Sequence, residues 1–81
     1  MYIVYSKPGC TYCDQAKTLL NSKNIAFEEK ILDVGQTKEA GITYVTVQQL
    51  RDVVPQARTV PQILKDGVLI GGFDALKQSL E

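Results

Sequence analysis

The sequence has 81 residues, a length that suits a single domain spanning residues 1–81. Nine lysine and arginine residues balance nine aspartate and glutamate residues, so nothing favours a nucleic-acid or anionic-membrane partner, which requires clustered positive charge. No apolar run approaches the ~20 residues of a membrane span. The first residues lack the basic leader and apolar core of a signal peptide, so we expect a cytoplasmic protein.

A strand followed by a helix is predicted at the start of the chain. Residues 2–5 are apolar and β-prone, and residues 6–9 include proline and glycine, which is typical of a turn. From Thr11 the apolar spacing becomes helical, with Lys17 away from the apolar face, and Asn24 marks the end of the helix. The apolar face is formed by Ala16, Leu19 and Leu20.

The middle of the chain predicts a second strand and a second helix. Residues 25–32 carry apolar side chains at odd positions among charges, as a strand does. The polar segment 33–40 is predicted to be a loop. Residues 46–49, Thr-Val-Gln-Gln, fit a capping box that begins a helix, and Pro55 ends that helix.

A hairpin and a last helix complete the predicted order. Asp66-Gly67 lies between two apolar runs, residues 62–65 and 68–70, and this dipeptide is a strong signal for a tight hairpin turn. Gly71-Gly72 breaks the second run, and the apolar side chains beyond it fit a helix. The order is therefore βαβαββα, an α/β arrangement in which a crossover gives a parallel pair and the hairpin gives an antiparallel pair.

The two cysteines of the chain stand at the predicted start of the first helix, in Cys10-Thr11-Tyr12-Cys13. Unpaired backbone N–H groups and the helix dipole favour a thiolate there, and Lys7 adds positive charge, so we expect a lowered pKa for Cys10. Cys13 is placed to attack a mixed disulfide at Cys10 and release the reduced partner. The motif therefore predicts a redox pair in which Cys10 attacks and Cys13 resolves.

Two other roles for the cysteine pair stay open. As a structural staple it closes a very short loop, worth only about 2 kcal/mol before strain. A zinc or iron–sulfur site wants about four ligands, and the chain has no histidine, so a second chain or external thiols would have to complete it. Redox chemistry is the preferred interpretation.

Three separated motifs resemble the glutaredoxin family, and the resemblance runs over nearly the whole chain. They are Cys10-Thr11-Tyr12-Cys13, Thr59-Val60-Pro61-Gln62 and Gly71-Gly72-Phe73-Asp74. The resemblance implies a thioredoxin fold with a four-stranded mixed sheet flanked by three helices. It also implies a cis bond before Pro61, glutathione as reducing co-substrate, and no resident cofactor or metal.

The same resemblance implies a glutathione groove. Lys7 and Gln48 match positions that meet the glycine carboxylate, Val60 matches the residue whose backbone pairs with the peptide, and Asp74 matches the γ-glutamyl end. Each side chain also has a structural explanation, because Lys7 can be a solvated turn residue, Gln48 helix surface and Asp74 a helix cap. The implied set is Lys7, Tyr12, Gln48, Thr59, Val60, Pro61, Gly72 and Asp74.

Two departures from the commonest family pattern bear on function. Thr11 stands where proline is usual, which predicts a different redox potential of undetermined sign. The connector 33–45 is longer than in compact bacterial members and is similar to that of small phage-type members. It either carries partner specificity or is a tolerated insertion.

The sequence is therefore interpreted as a monomeric, glutathione-dependent thiol–disulfide oxidoreductase acting on protein disulfides and glutathione mixed disulfides. The family suggests ribonucleotide reductase among the protein substrates. One alternative is a carrier in which two chains bridge a [2Fe–2S] cluster through Cys10 and glutathione. The other is a disulfide reductase served by thioredoxin reductase, which would not need Lys7, Gln48 and Asp74.

Overall fold

A central sheet of five strands organises the computed structural model, which describes residues 1–81. The strand order is β3-β2-β1-β4-β5, with β1 parallel to β2 and antiparallel to β4. None of the three helices combines the length and hydrophobicity needed to cross a membrane. In chain order the elements are β1 (Tyr2–Ser6), α1 (Thr11–Ser22), β2 (Phe27–Leu32), β3 (Thr43–Val45), α2 (Val47–Val53), β4 (Gln62–Lys65), β5 (Val68–Gly71) and α3 (Phe73–Ser79).

The sheet has one strand more than the four predicted. Residues 43–45, inside the predicted connector, form β3 and pair in parallel with residues 30–32 of β2. The backbone N–H of Asp33 also donates to the carbonyl of Val45 at 2.8 Å. Three residues are too few to show an alternating pattern, and this strand depends on its neighbour for backbone partners. The four-stranded prediction is therefore wrong at this edge, while the mixed sheet and the three helices are confirmed.

One face of the sheet packs against α1 and α3. Alternate side chains of β1 point to this face, as the pleat of a strand requires. The helix α1 ends where the sequence predicts, and Asn24 adopts a φ of +57°, a left-handed conformation that asparagine tolerates. The buried members of this α1/α3 core are Tyr2, Val4, Ala16, Leu20, Ile63 and Leu76.

The opposite face of the sheet packs against α2, which has only seven residues. The predicted capping box is present, since Thr46 Oγ1 accepts from the Gln49 N–H at 3.0 Å and Thr46 N–H donates to Gln49 Oε1 at 2.8 Å. Because so short a helix is marginal alone, its cap and its packing hold it in place. The buried members of this α2 core are Tyr5, Leu32, Leu50, Val54, Ala57 and Leu64.

The predicted hairpin leads into the last helix, which contacts β4 and β5 and lies beside α1. Asp66 and Gly67 have φ values of +52° and +81°, the positive pair that a type I′ turn needs. At the end of β5, a Cβ at Gly71 would lie 3.0 Å from that of Ala75, so glycine allows α3 to fold back closely. A Cβ on Gly72 would lie 3.6 Å from the carbonyl oxygen of Pro61, so the segments around these two residues are neighbours.

Candidate active site

The two cysteines lie between the end of β1 and the first turn of α1. They are joined by a disulfide, with their Cα atoms 5.2 Å apart. Cys10 is the N-cap residue of α1, and its Sγ accepts the backbone N–H of Cys13 at 3.2 Å. A sulfur in this position receives the unpaired N–H groups and the positive end of the helix dipole, both of which stabilise an anion.

Exposure separates the two cysteines. Cys10 keeps 9% of its surface exposed, whereas Cys13 keeps 1%. An external sulfur therefore has access to Cys10 and almost none to Cys13. This asymmetry supports Cys10 as the attacking thiol and Cys13 as the resolving one.

A groove of about 610 Å³, here called the Pro61 groove, opens next to Cys10. Its Val60 wall is close to the disulfide, with the Val60 carbonyl oxygen 3.7 Å from Cys10 Sγ. The Val60–Pro61 bond is cis, as the resemblance implies. Six of the eight residues predicted to bind glutathione line this groove, namely Tyr12, Thr59, Val60, Pro61, Gly72 and Asp74.

Aromatic side chains form one side of the Pro61 groove. Tyr12 is 61% exposed, and its ring centroid lies 6.1 Å from that of Phe73. Phe73 also packs against the α1/α3 core, so it serves both the core and the groove. Its contribution to the groove is absent from the sequence prediction, because position after the double glycine does not show which way the ring points.

A second groove, of about 200 Å³, adjoins the first at Thr59 and Val60. Its cations are Lys7, Arg51 and Arg58, all exposed, and no acidic residue lines it. We call it the cationic groove. Its apolar lining consists of Leu32, Val47, Leu50, Ala57 and Val60.

Arg51 is a candidate binding residue that the sequence analysis missed. Its Nε donates to the carbonyl of Ala57 at 3.3 Å, which holds the side chain against the loop that follows α2. The available signal is its spacing, since Arg51 lies one helical turn after Val47, another residue of the same groove.

Gln48 is the one predicted glutathione residue that the structure leaves outside both grooves. It is exposed on α2, and its Nε2 donates to Asp52 Oδ1 at 2.9 Å. Successive residues of a helix point about 100° apart, so Gln48 and its neighbour Val47 face different directions. The other seven predicted residues lie in two adjoining grooves.

An ion-pair network lies where α1 crosses β2. Lys17 Nζ is 2.7 Å from Glu29 Oε2 and 3.6 Å from Asp14 Oδ1, and Ser6 Oγ donates to Glu29 at 2.7 Å. Burial lowers the pKa of Lys17, but its hydrogen bond to Glu29 and the negative charges of Glu29 and Asp14 outweigh this and raise it above the usual value. Lys17, predicted to lie away from the apolar face of the helix, therefore ties the cysteine helix to β2.

Comparisons with known proteins agree with this geometry. A family model described as Glutaredoxin matches residues 2–70. The chain is 38% identical over 74 residues to Glutaredoxin 1 of Rickettsia bellii, covering 91% of this chain and 70% of that protein. The structure of Glutaredoxin 1 from Francisella tularensis complexed with cacodylate is 31% identical, with a TM-score of 0.72 over 98% of this chain and 90% of that one.

A more distant structure shares the fold alone. The buckwheat glutaredoxin–glutathione complex is 22% identical, with a TM-score of 0.64 over 98% of this chain and 66% of that one. The family of the chain follows from the family model and the Rickettsia relative, together with the cysteine pair at the start of α1. This chain belongs to the glutaredoxin family and is a thiol–disulfide oxidoreductase of thioredoxin-like fold.

Proposed function

We propose that this glutaredoxin uses glutathione to reduce protein disulfides and glutathione mixed disulfides. The observation that carries the proposal is the position of Cys10, whose sulfur lies 3.7 Å from Val60 O where two grooves adjoin. Glutathione is a tripeptide thiol with charged groups at both ends, so a bound molecule needs a reactive sulfur flanked by two polar subsites. The grooves on either side of Val60 meet that requirement.

Charge at the two ends of this site gives glutathione one preferred orientation. Lys7, in the cationic groove, attracts the glycine carboxylate, and Asp74, in the Pro61 groove, attracts the ammonium of the γ-glutamyl group. The backbone of Val60 is available to the cysteine residue of glutathione between them. Tyr12 and Phe73 supply an apolar wall against which the peptide packs.

Catalysis then proceeds by two exchanges of sulfur. The Cys10 thiolate attacks one sulfur of the substrate disulfide, forming a mixed disulfide and releasing the other sulfur as a thiolate that takes a proton from solvent. Cys13, as a thiolate, attacks the Cys10 sulfur, which releases the substrate thiol and forms the Cys10–Cys13 disulfide described above. Two glutathione molecules return this disulfide to the dithiol and leave as oxidised glutathione.

The proposed cycle passes electrons through sulfur alone, so it needs no resident metal or organic cofactor. We place the protein in the cytoplasm as a monomer, since a reducing compartment supplies glutathione and keeps the dithiol available. Disulfides of cytoplasmic enzymes are the proposed protein substrates, and ribonucleotide reductase is a candidate suggested by the family.

A coupled assay tests the proposal. NADPH consumption through glutathione reductase is followed with a glutathionylated peptide as substrate, for the wild type, Cys10→Ser and Cys13→Ser. We expect Cys10→Ser to abolish turnover, because it removes the attacking thiolate, and Cys13→Ser to retain part of it, because glutathione can release the product from Cys10.

The same variants are then given a protein disulfide, for which we expect Cys13→Ser to lose most activity. Absence of turnover by the wild type with glutathione, together with turnover when thioredoxin reductase replaces it, would contradict glutathione dependence. Retained turnover by Cys10→Ser would contradict the assigned thiol roles.

A further inference from the structure

We infer that the cationic groove recognises an acidic side chain of the protein substrate and that Arg51 sets this preference. The acidic residue is the one that directly follows, in the substrate sequence, the cysteine that forms the mixed disulfide with Cys10. The inference rests on the proposed function, since it takes the direction of the bound peptide from the orientation proposed for glutathione. In that orientation the glycine end lies in the cationic groove, and the residue after a substrate cysteine occupies the same place.

The charge of the groove exceeds what glutathione requires. Lys7, Arg51 and Arg58 border a volume of about 200 Å³, and none of the three takes part in an ion pair. The glycine carboxylate of glutathione neutralises one positive charge. Since the whole chain has equal numbers of acidic and basic residues, this excess is local rather than a property of the composition. A substrate carboxylate complements it.

Arg51 is the best placed of the three cations. Its Nε hydrogen bond to Ala57 O, at 3.3 Å, fixes the side chain at the edge of the groove, and no other hydrogen bond engages the guanidinium. The terminal nitrogens therefore remain available as a planar pair of donors that matches a carboxylate. Leu50 and Val47 supply an apolar surface for the methylene groups of an incoming glutamate.

The opposite end of the site makes the preference directional. Asp74 lies in the Pro61 groove, so an acidic residue placed before the substrate cysteine meets a like charge. An acidic residue placed after the cysteine meets three cations. Substrates are thus distinguished by the order of charge around their cysteine and not by net charge alone.

A competition between two peptides tests this without glutathione. The Cys13→Ser protein holds a peptide at Cys10 as a stable mixed disulfide, because the resolving thiol is absent. Two peptides are used that differ only in the residue after their cysteine, which is glutamine in one and glutamate in the other. The protein is first joined to the glutamine peptide and is then equilibrated with the glutamate peptide in its free thiol form. One disulfide and one thiol are present before and after the exchange, and mass spectrometry gives the equilibrium constant. The experiment is repeated with Arg51→Gln, Arg51→Lys and Lys23→Gln added to the Cys13→Ser protein.

We expect the constant in favour of the glutamate peptide to fall about threefold with Arg51→Gln, the size expected for one partly exposed charge-assisted contact. Comparing proteins cancels the difference in thiol pKa between the peptides. Arg51→Lys should retain much of the preference, because it keeps the charge while losing the hydrogen bond to Ala57. Lys23→Gln removes a positive charge at the far end of α1 and should change nothing. High salt should lower the exchange constant in favour of the glutamate peptide for the Cys13→Ser protein without further substitutions.

Two results would overturn the inference. One is an exchange constant that Arg51→Gln leaves unchanged. The other is an equal effect of Lys23→Gln, which would mean that net charge and not the groove is responsible. Because no step uses glutathione, a negative coupled assay with a positive competition would contradict the proposed co-substrate and support the acidic preference.

Discussion

On the α1/α3 side of the sheet, five of the six core side chains are 0% exposed. On the α2 side, every core side chain keeps between 2% and 7% of its surface exposed. The helix α1 has 12 residues, whereas α2 has seven and relies on a capping box. Three members of the α2 core, Leu32, Leu50 and Ala57, also line the cationic groove.

This difference in burial suggests different roles for the two faces of the sheet. The α1/α3 face, here called the closed face, holds α1, and Cys10 is the N-cap of that helix, so the reactive sulfur has a fixed position. The α2 face is called the open face. Half of the core residues on the open face have two roles at once, since they pack in the core and line the cationic groove. A change among the six buried core residues of the closed face, none of which lines either groove, is therefore expected to alter stability alone. A change among the three residues shared with the cationic groove is expected to alter stability and recognition together.

The largest expected effect comes from truncating one core leucine on each face of the sheet. Leu20→Ala should lower the free energy of unfolding by about 3 to 5 kcal/mol, because it leaves a cavity in a fully closed core. Leu50→Ala should cost about 2 to 3 kcal/mol, because its site is open to solvent at one side. Urea unfolding measures both.

The kinetics of the same pair sharpen the comparison. At a temperature where both variants are folded, Leu20→Ala should leave KM for glutathione unchanged, and Leu50→Ala should raise it about twofold through loss of groove surface. Equal changes in KM would show that the two faces are not separate in function.

A smaller effect is expected at the edge of the closed face, where Lys17 meets Glu29. Lys17→Gln should lower stability by about 1 to 2 kcal/mol, between the values for exposed and buried ion pairs, because it leaves the Glu29 carboxylate with one partner fewer. Since the pKa of Lys17 is raised in the folded state, its contribution is complete below the ordinary lysine pKa and is lost as pH rises through the folded value.

Unfolding of the disulfide form, in which neither cysteine titrates, gives the pH dependence. As pH rises above the ordinary lysine pKa, the wild type should lose more stability than Lys17→Arg, whose guanidinium keeps its charge. Glu29→Gln should flatten this part of the profile. Parallel profiles for the wild type and Lys17→Arg would show that the pair does not contribute.

The smallest effect concerns the cap of α2. Thr46→Ala should lower stability by about 1 kcal/mol, because it removes the acceptor for the Gln49 N–H. Thr18→Ala, at an exposed position inside α1, is the matched control and should be neutral or slightly stabilising, since alanine favours helix interiors. An equal loss from both variants would show that the cap does not hold the shorter helix.

Features with local signals could be predicted from the sequence. The capping box at Thr46, the Asp66-Gly67 turn and the cysteine pair at a helix start each depend on a few neighbouring residues, and each is present. The strand β3 was not predictable in this way, because its three residues are held by pairing with β2.

The candidate site divides along the same line. The family resemblance predicts that Tyr12, Val60 and Asp74 belong to one site, and all three line the Pro61 groove. They did not reveal Arg51, nor that Gln48 lies outside both grooves, because side-chain direction on α2 follows from how the helix packs. The Lys17–Glu29 contact joins a helix to a strand and has no signature within either segment.

The position of β1 has a consequence for how the protein is made. β1 precedes every other element in the chain, yet it lies at the centre of the sheet, with Tyr2 opposite Lys65 of β4. On the ribosome, β1, α1 and β2 emerge first, so both thiols exist before Val60 and α3 have been synthesised. A nascent chain therefore carries both thiols before either groove can form. The selectivity proposed for these grooves arises only after residues 58–60 and α3 have been added to the chain.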